Sequence, residues 1–437
     1  MQILDRSDFK RSVYIVDGMR TPWLKVRGPG NFTASDLAVQ AGRYLLARQT
    51  FNPNQLDEVV TGCVMPSPDE ANISRVIALR LGCGKAVPAY TVQRNCASGM
   101  QALDSAALDI ACGRYDLVLA GGTEAMSQAP LLFNREMTAW LAKLNATKNF
   151  LPRLKLFAQF KLKYLKPIIA LLHGLTDPIV GLGMGQTAEV IAHRFGITRK
   201  EMDQFALQSH QRLAAAQDAG IFKEEINPIY DKHNNYYSFD NGLRRDTDLE
   251  KLASLKAFFD KPFGLVTAGN SSQITDGAAF LILASEEAVQ RYHLPILARI
   301  VDVAWAGVDP SEMGLGPVHA VAALLKKQAL RFNNIDFWEI NEAFAGQVLA
   351  CLAAWEDIEY CKNQLRLTEA LGKIDQEKIN VDGGAIAMGH PVGASGARLV
   401  LHLAHILKRK QARLGIATLC IGGGQGGALL LENSDKT

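Results

Sequence analysis

The sequence has no uninterrupted run of about 18 apolar residues, which argues against a membrane-spanning helix. Its opening, MQILDRSDFKRSVYIV, has no apolar core ahead of the first strand-like stretch, so no secretory signal is read there. Seven cysteines is an odd number and no C-x-x-C pair occurs, which argues against a disulfide framework and against a zinc knuckle. Neither sign of charge predominates: a formal net charge of +3 over 437 residues is too even for a nucleic-acid surface. What remains is a chain that is 48% hydrophobic, enough for more than one core at this length. A cytoplasmic protein of about two or three units with reduced thiols is the expectation.

One absence is local. From Met137 to Thr176 there is no Asp or Glu, yet Lys143, Lys148, Arg153, Lys155, Lys161, Lys163 and Lys166 lie there among aliphatic and aromatic residues. Three readings are open: a solvated basic face, a flap that contacts phosphate, or an amphipathic surface that rests on anionic lipid or on a partner subunit.

What is present is concentrated in three glycine- or alanine-rich turns. Cys96 stands in NCASGMQA, His390 in GHPVGASG and Cys420 in CIGGGQGG. Small neighbours let backbone amides and a substrate approach a reactive side chain closely, which a packing cysteine does not need. Cys63, Cys83, Cys112, Cys351 and Cys361 lack such surroundings and read as packing residues. PAYTVQRN reads as a strand and Ser98 to Ala111 as a helix stopped by Gly113, so Cys96 falls at a helix N-terminus. The helix dipole there predicts a lowered thiol pKa. LVLAGG, a continuous apolar run, reads as a buried strand. Asn341 and Glu342 follow the strand-like FWEI, where Asn341 can face a cleft or cap the next helix.

Two blocks recur in order. LLARQTFNPNQLDEVV (45–60) is echoed by LLKKQALRFNNIDFWEI (324–340), and CASGMQALDSAALDIACGRYDLVLAGG (96–122) by GASGARLVLHLAHILKRKQARLGIATLCIGG (393–423). The pattern predicts a duplicated α/β fold interrupted by a different segment near 131–262.

NCASGMQA, NEAFA, GHPVGASG and CIGGG, in that order, resemble the thiolase family, and TAGNSSQITDGAA (267–279) resembles its pantetheine-contacting loop. The resemblance implies a duplicated αβαβα sandwich: a first half at 11–130 and 263–294, an inserted loop domain at 131–262, and a second half at 295–437. It implies Cys96 as acylated nucleophile and His390 as the base for Cys96 and for the CoA thiol. Cys420 would be the acid or base at the acetyl carbanion. Asn341 would hold a water that stabilises the keto or thioester oxygen, with a second oxyanion site at the Cys96 and Gly422 amides. Ser272 and Ala268 would lie along the pantetheine arm. No metal and no permanently bound cofactor is implied, CoA being a substrate, and assembly is expected as a dimer or a dimer of dimers.

Many short-chain thiolases carry His just before the Met-Gly that here is Met184-Gly185; this chain has Gly183. Together with LPRLKLFAQFKLKYLKP and DNGLRRDTDLEKLASLKAFF, which resemble segments of thiolases that partner a hydratase/dehydrogenase subunit, this favours a degradative 3-ketoacyl-CoA thiolase of β-oxidation. The alternatives are an acetyltransferase making acetoacetyl-CoA, a decarboxylating ketoacyl synthase, which Asn341 and Cys420 argue against, and a non-catalytic lipid-binding member.

Overall fold

The computed structural model describes residues 11–436; the opening residues 1–10, in which no signal was read, and Thr437 lie outside the described residues. The chain begins with β1 (Val13–Arg20), α1 (Ala34–Ala47), β2 (Glu58–Gly62), α2 (Ile73–Arg80), β3 (Ala89–Val92), α3 (Ser98–Ala111) and β4 (Leu117–Ala125). The helix α3 has the bounds its apolar spacing gives, and Gly113 follows at φ +79°, a left-handed stop that glycine adopts without a Cβ clash. All of β4 is buried, as its unbroken apolar run requires. The helices α4 (Arg135–Ala146), α5 (Phe150–Ala158), α6 (Met184–Arg194) and α7 (Arg199–Asp218) follow, and β5 (Thr275–Ser285) returns to the first sheet. The rest is β6 (Ala298–Gly307), α8 (Gly316–Lys327), β7 (Phe337–Ile340), α9 (Ala345–Glu356), α10 (Val392–Arg409), β8 (Leu414–Ile421) and β9 (Gln425–Glu432).

The long strands run β7, β8, β9, β6, β1, β5, β4, β2, β3 across a mixed sheet. The outer strands β7–β8 and β4–β2–β3 pair in parallel, while β8–β9, β9–β6, β1–β5 and β5–β4 are antiparallel. The halves are joined where β1 meets β6 through Val13, Tyr14 and Ile15 alone. On the first half α1 and α2 cover the outer face, on the second α8 and α9 do, and α3 and α10 lie between. That is the αβαβα layering expected. Its central core joins Leu103 of α3 and Leu401 of α10 to Val118, Leu281, Leu419 and Leu429 of the strands, all buried. Each such side chain contributes about 1.5–3 kcal/mol through removal from water.

The repeated blocks fall on equivalent elements, and their hydrogen bonds repeat too. Asp57, entering β2, accepts from the Asp116 and Leu117 amides at 2.8 and 2.9 Å; Asp336, entering β7, accepts from those of Arg413 and Leu414 at 2.8 and 2.9 Å. The two A-S-G triplets mark where α3 and α10 touch. A Cβ on Gly99 would stand 2.9 Å from the Ala397 nitrogen, and one on Gly396 would stand 2.6 Å from that of Met100. Among the described residues no helix is long and apolar enough to cross a membrane, and no group of three His, Cys, Asp or Glu could hold a metal ion.

Candidate active site

Four turns converge at the end of this central layer: the one before α3, the one before α10, and those after β7 and β8. The first is held by Ser98, whose hydroxyl accepts from the Arg94 amide at 2.9 Å and donates to the Asn95 carbonyl at 2.7 Å. Cys96 is half-buried there, and its sulfur accepts from the Gly422 amide. The thiol is not lowered as the helix terminus suggested. Burial pushes its pKa up, and the nearby Glu124 carboxylate acts the same way, against the favourable Gly422 amide. Withdrawal of water outweighs the dipole, so Cys96 needs a base.

His390 can be that base. Its Nδ1 lies 2.6 Å from Ser395 Oγ, which lies 3.0 Å from the Pro391 carbonyl oxygen. With the hydroxyl proton on that carbonyl, the network assigns Nδ1–H as donor to Ser395 and leaves the lone pair on Nε2. Burial, reinforced by the Arg398 charge, lowers the His390 pKa to about 4, so the ring is neutral near pH 7. Facing Nε2 at 3.4 Å is Asn341 Nδ2, and Asn341 Oδ1 is buried without a protein partner. Asn341 does not cap α9, whose N-cap is Phe344. Its amide instead donates to the Thr418 carbonyl at 2.9 Å, which fixes the residue at the strand end.

Cys420 ends β8 almost fully buried, and burial first, then Cys96 and Cys351, pushes its thiol well above the ordinary range. It is therefore protonated near neutral pH and stands ready as an acid in the cleavage direction. Cys420 shares an apolar cluster with Met184, Phe259, Phe344, Val266 and Met313. A Cβ on Gly422 would stand 3.3 Å from Met184 Sδ, so the first residue of α6 lies over the CIGGG turn. The 267–274 segment runs alongside: Ser272 donates its amide to the Ala343 carbonyl at 2.9 Å, and the His390 amide donates to the Gln273 carbonyl at 3.0 Å. Ser272 is half-buried and Ala268 exposed.

Sequence reading overlooked two supports, Ser395 and Glu124, and singled out a third, Glu342, without its role. Ser395 orients the histidine; it lay inside GHPVGASG, five residues on, one helical turn into α10. Glu342 is a clamp: its carboxylate accepts from Ser209 Oγ at 2.6 Å, Asn380 Nδ2 at 2.9 Å and the Ile386 amide at 3.2 Å. Glu124, fully buried at the end of β4, accepts from the amides of Val64, Met65 and Gly393 at 2.9, 3.0 and 3.1 Å, tying the turn after β2 to the start of α10. No spacing rule pointed to Glu124, while Glu342 stood out by its place at the strand end. Of the cysteines read as packing residues, Cys63, Cys83, Cys351 and Cys361 are buried, but Cys112 is exposed because it is the C-cap of α3.

Comparison with known proteins places this arrangement. The thiolase N-terminal domain matches residues 13–287 and the thiolase C-terminal domain residues 294–433. The chain belongs to the thiolase family. It is 39% identical to the mitochondrial 3-ketoacyl-CoA thiolase of Homo sapiens over 97% of this chain and 99% of that one. It is 40% identical to the β-ketoadipyl-CoA thiolase of Pseudomonas aeruginosa, again over 97% and 99%. The solved structure of the human mitochondrial thiolase in complex with CoA matches with a TM-score of 0.83 at 38% identity, covering 97% of this chain and 98% of that one. As a thiolase the chain is an acyltransferase, cleaving a 3-ketoacyl-CoA with CoA to acetyl-CoA and a shortened acyl-CoA.

Proposed function

We propose that this thiolase works in the degradative direction of fatty-acid β-oxidation on substrates of broad acyl length. His390 Nε2 takes the Cys96 proton; the sulfur attacks the keto carbon; the bond to the acetyl unit breaks, and Cys420 gives its proton to the departing carbanion. The acyl group is left on Cys96. The proton held on His390 passes to the Cys420 thiolate; the freed Nε2 then removes the proton of the CoA thiol, which attacks the acyl-enzyme, releases the shortened acyl-CoA and leaves the Cys96 thiolate to take that proton back. Asn341 beside Nε2 serves one oxygen, and the Gly422 amide with that of Cys96 the other. Ser272 and Ala268 lie along the pantetheine path, and Met184 against the acyl group. The observation that carries this reading is that both thiols are raised by burial while the one histidine beside Asn341 is held neutral, which gives an acid, a nucleophile in need of a base, and the base. Gly183, which offers no polar contact to a short acyl group, supports broad chain length over an acetoacetyl-CoA-forming role. The test is peptide mapping after brief exposure to acetyl-CoA, together with CoA-dependent cleavage rates across acyl lengths. An adduct on Cys420 alone, or turnover confined to acetoacetyl-CoA, would overturn the assignment.

A second reading concerns location and partners, and it is favoured by α4 and α5. Phe150, Leu151 and Leu162 are 77, 71 and 82% exposed beside the seven basic residues of 137–176. Of those bases Lys163 meets an acid, Glu136, which lies just before that span. Exposed apolar and basic side chains on one segment suit peripheral seating on an anionic membrane from the cytoplasm, with a hydratase/dehydrogenase subunit as the competing occupant. The open edge of β3 would let a second copy pair its strand, giving a homodimer or a dimer of dimers.

A further inference from the structure

The residue before the nucleophile stands in an unusual backbone state. Asn95 has φ +44°, a left-handed conformation that L-residues other than Asn and Asp seldom hold. Its Nδ2 donates to the Gly422 carbonyl at 2.7 Å. A Cβ on Gly422 or Gly423 would stand 3.7 or 3.9 Å from the same nitrogen, so the amide lies across the glycine turn. We propose that Asn95 is a positioning residue that sets the Gly422 amide against the Cys96 sulfur. This rests on the reading of Cys96 as the acylated thiol and of Gly422 as an oxyanion donor.

On its N-terminal side Gly422 is fixed by β8, where Ile421 pairs with Gln425. On its C-terminal side come Gly423 and Gly424 at φ +89° and +78°, with no side chain to restrain them. The Gly422 N–H belongs to the peptide that follows Ile421, and Asn95 grips the next peptide by the Gly422 carbonyl, so the planes on both sides of the Gly422 Cα are held and the N–H is kept from tilting. The left-handed backbone at residue 95 points the carboxamide across to the β8 turn instead of along the chain. The Ser98 hydroxyl, accepting from Arg94 and donating to the Asn95 carbonyl, keeps the backbone in that state. The nucleophile turn thus orients its own oxyanion donor, supplied by the other half of the fold.

The variants Asn95→Gly and Asn95→Asp separate backbone from hydrogen bond. Glycine keeps the left-handed geometry and deletes the carboxamide; aspartate keeps shape and geometry but presents an acceptor to the Gly422 carbonyl. Each should melt like the parent. Because Asn95 aims the donor without supplying it, kcat for thiolysis should fall about 10- to 100-fold, less than the loss of an oxyanion donor itself, with KM for CoA nearly unchanged. The pH profile of Cys96 alkylation by iodoacetamide should move to higher pH, since the thiolate loses an aligned donor while Glu124 and Cys420, the titratable groups whose charges act with it, stay in place. Glycine and aspartate variants that acylate Cys96 at the parental rate with an unshifted profile would overturn the proposal. Failure of the parent to acylate Cys96 would instead sink the catalytic reading, before any variant is compared.

Discussion

Replacing Ser395 by Ala removes the acceptor that holds the Nδ1–H of His390 at 2.6 Å inside a fully buried pocket. When His390 takes the Cys96 proton the ring becomes a cation, and its Nδ1–H, on the side closed by buried Ser395, then needs its acceptor more strongly. A buried donor left without its partner costs about 1–3 kcal/mol. At about 1.36 kcal/mol per factor of ten, that is roughly a 5- to 150-fold slower acylation of Cys96. The neutral ring also donates its Nδ1–H to Ser395, so that range is the ceiling, reached where the cation alone depends on the acceptor; the loss should appear in kcat and kcat/KM together while KM for CoA holds. It should also be nearly constant from about pH 6 to 9, because burial already puts the acid limb of His390 near 4. The assay is single-turnover release of acetyl-CoA from a 3-ketoacyl-CoA, with thermal melting to establish that the variant is folded. A folded Ser395→Ala enzyme with parental rates would mean that the ring is held by its packing alone.

Cys420→Ala should leave acetylation of Cys96 largely intact but slow α-proton exchange of acetyl-CoA by roughly 100- to 10,000-fold, the range for loss of general acid–base help, measured by deuterium uptake. His402 is a charged structural histidine: burial opposes its charge, but Glu225 at 2.8 Å and Asp382 at 3.2 Å raise it to about 10. A folded value above the ordinary one of about 6.5 gives stability that is complete below that pH and lost as pH rises through about 10. Calorimetry should therefore show melting falling from about pH 7 to 10 less steeply in His402→Gln; equal slopes would contradict the pairing. Glutamine at Lys155, Lys161, Lys163 and Lys166 should weaken salt-sensitive binding to anionic vesicles, each base being worth about 1 kcal/mol near such a surface, while thiolysis persists. Unchanged vesicle binding with a raised KM for CoA would assign these lysines to the CoA phosphates.

Much of this was legible in the residues because the fold is written twice. The aligned blocks gave the strands DEVV and FWEI, the helices after each A-S-G and the double glycines, and these lie at equivalent places in the sheets. Cys96, His390 and Cys420 stood out for another reason: each stands among side chains too small to need them for packing. What stayed hidden depends on contacts between segments far apart in sequence. Glu124 meets Gly393 across 269 residues, and no periodicity announces that. The sign of the Cys96 shift was misread for the same reason. The helix terminus is local and visible in sequence, whereas the burial that outweighs it comes from the β8 turn and the opposite half.

The duplication also explains why the site is asymmetric. In the aligned blocks Cys96 of the first half corresponds to Gly393 of the second, and Asn341 of the second to Gly62 of the first. Neither glycine has room for more. A Cβ at Gly393 would stand 2.6 Å from the Thr123 carbonyl and 2.7 Å from the Glu124 carboxylate, and one at Gly62 would stand 2.4 Å from the Ser98 carbonyl. Gly393 is crowded by the end of β4 and Gly62 by the start of α3, so neither counterpart position has space for a second functional side chain. The candidate centre is therefore divided unevenly, with Cys96 on the first half and Asn341, His390 and Cys420 on the second. A single composite centre follows from that packing, in place of two weaker symmetric ones, and it forms only when both halves are docked. Local loosening of the β1–β6 join, the narrowest connection between the sheets, should on this argument separate nucleophile from base before either half unfolds.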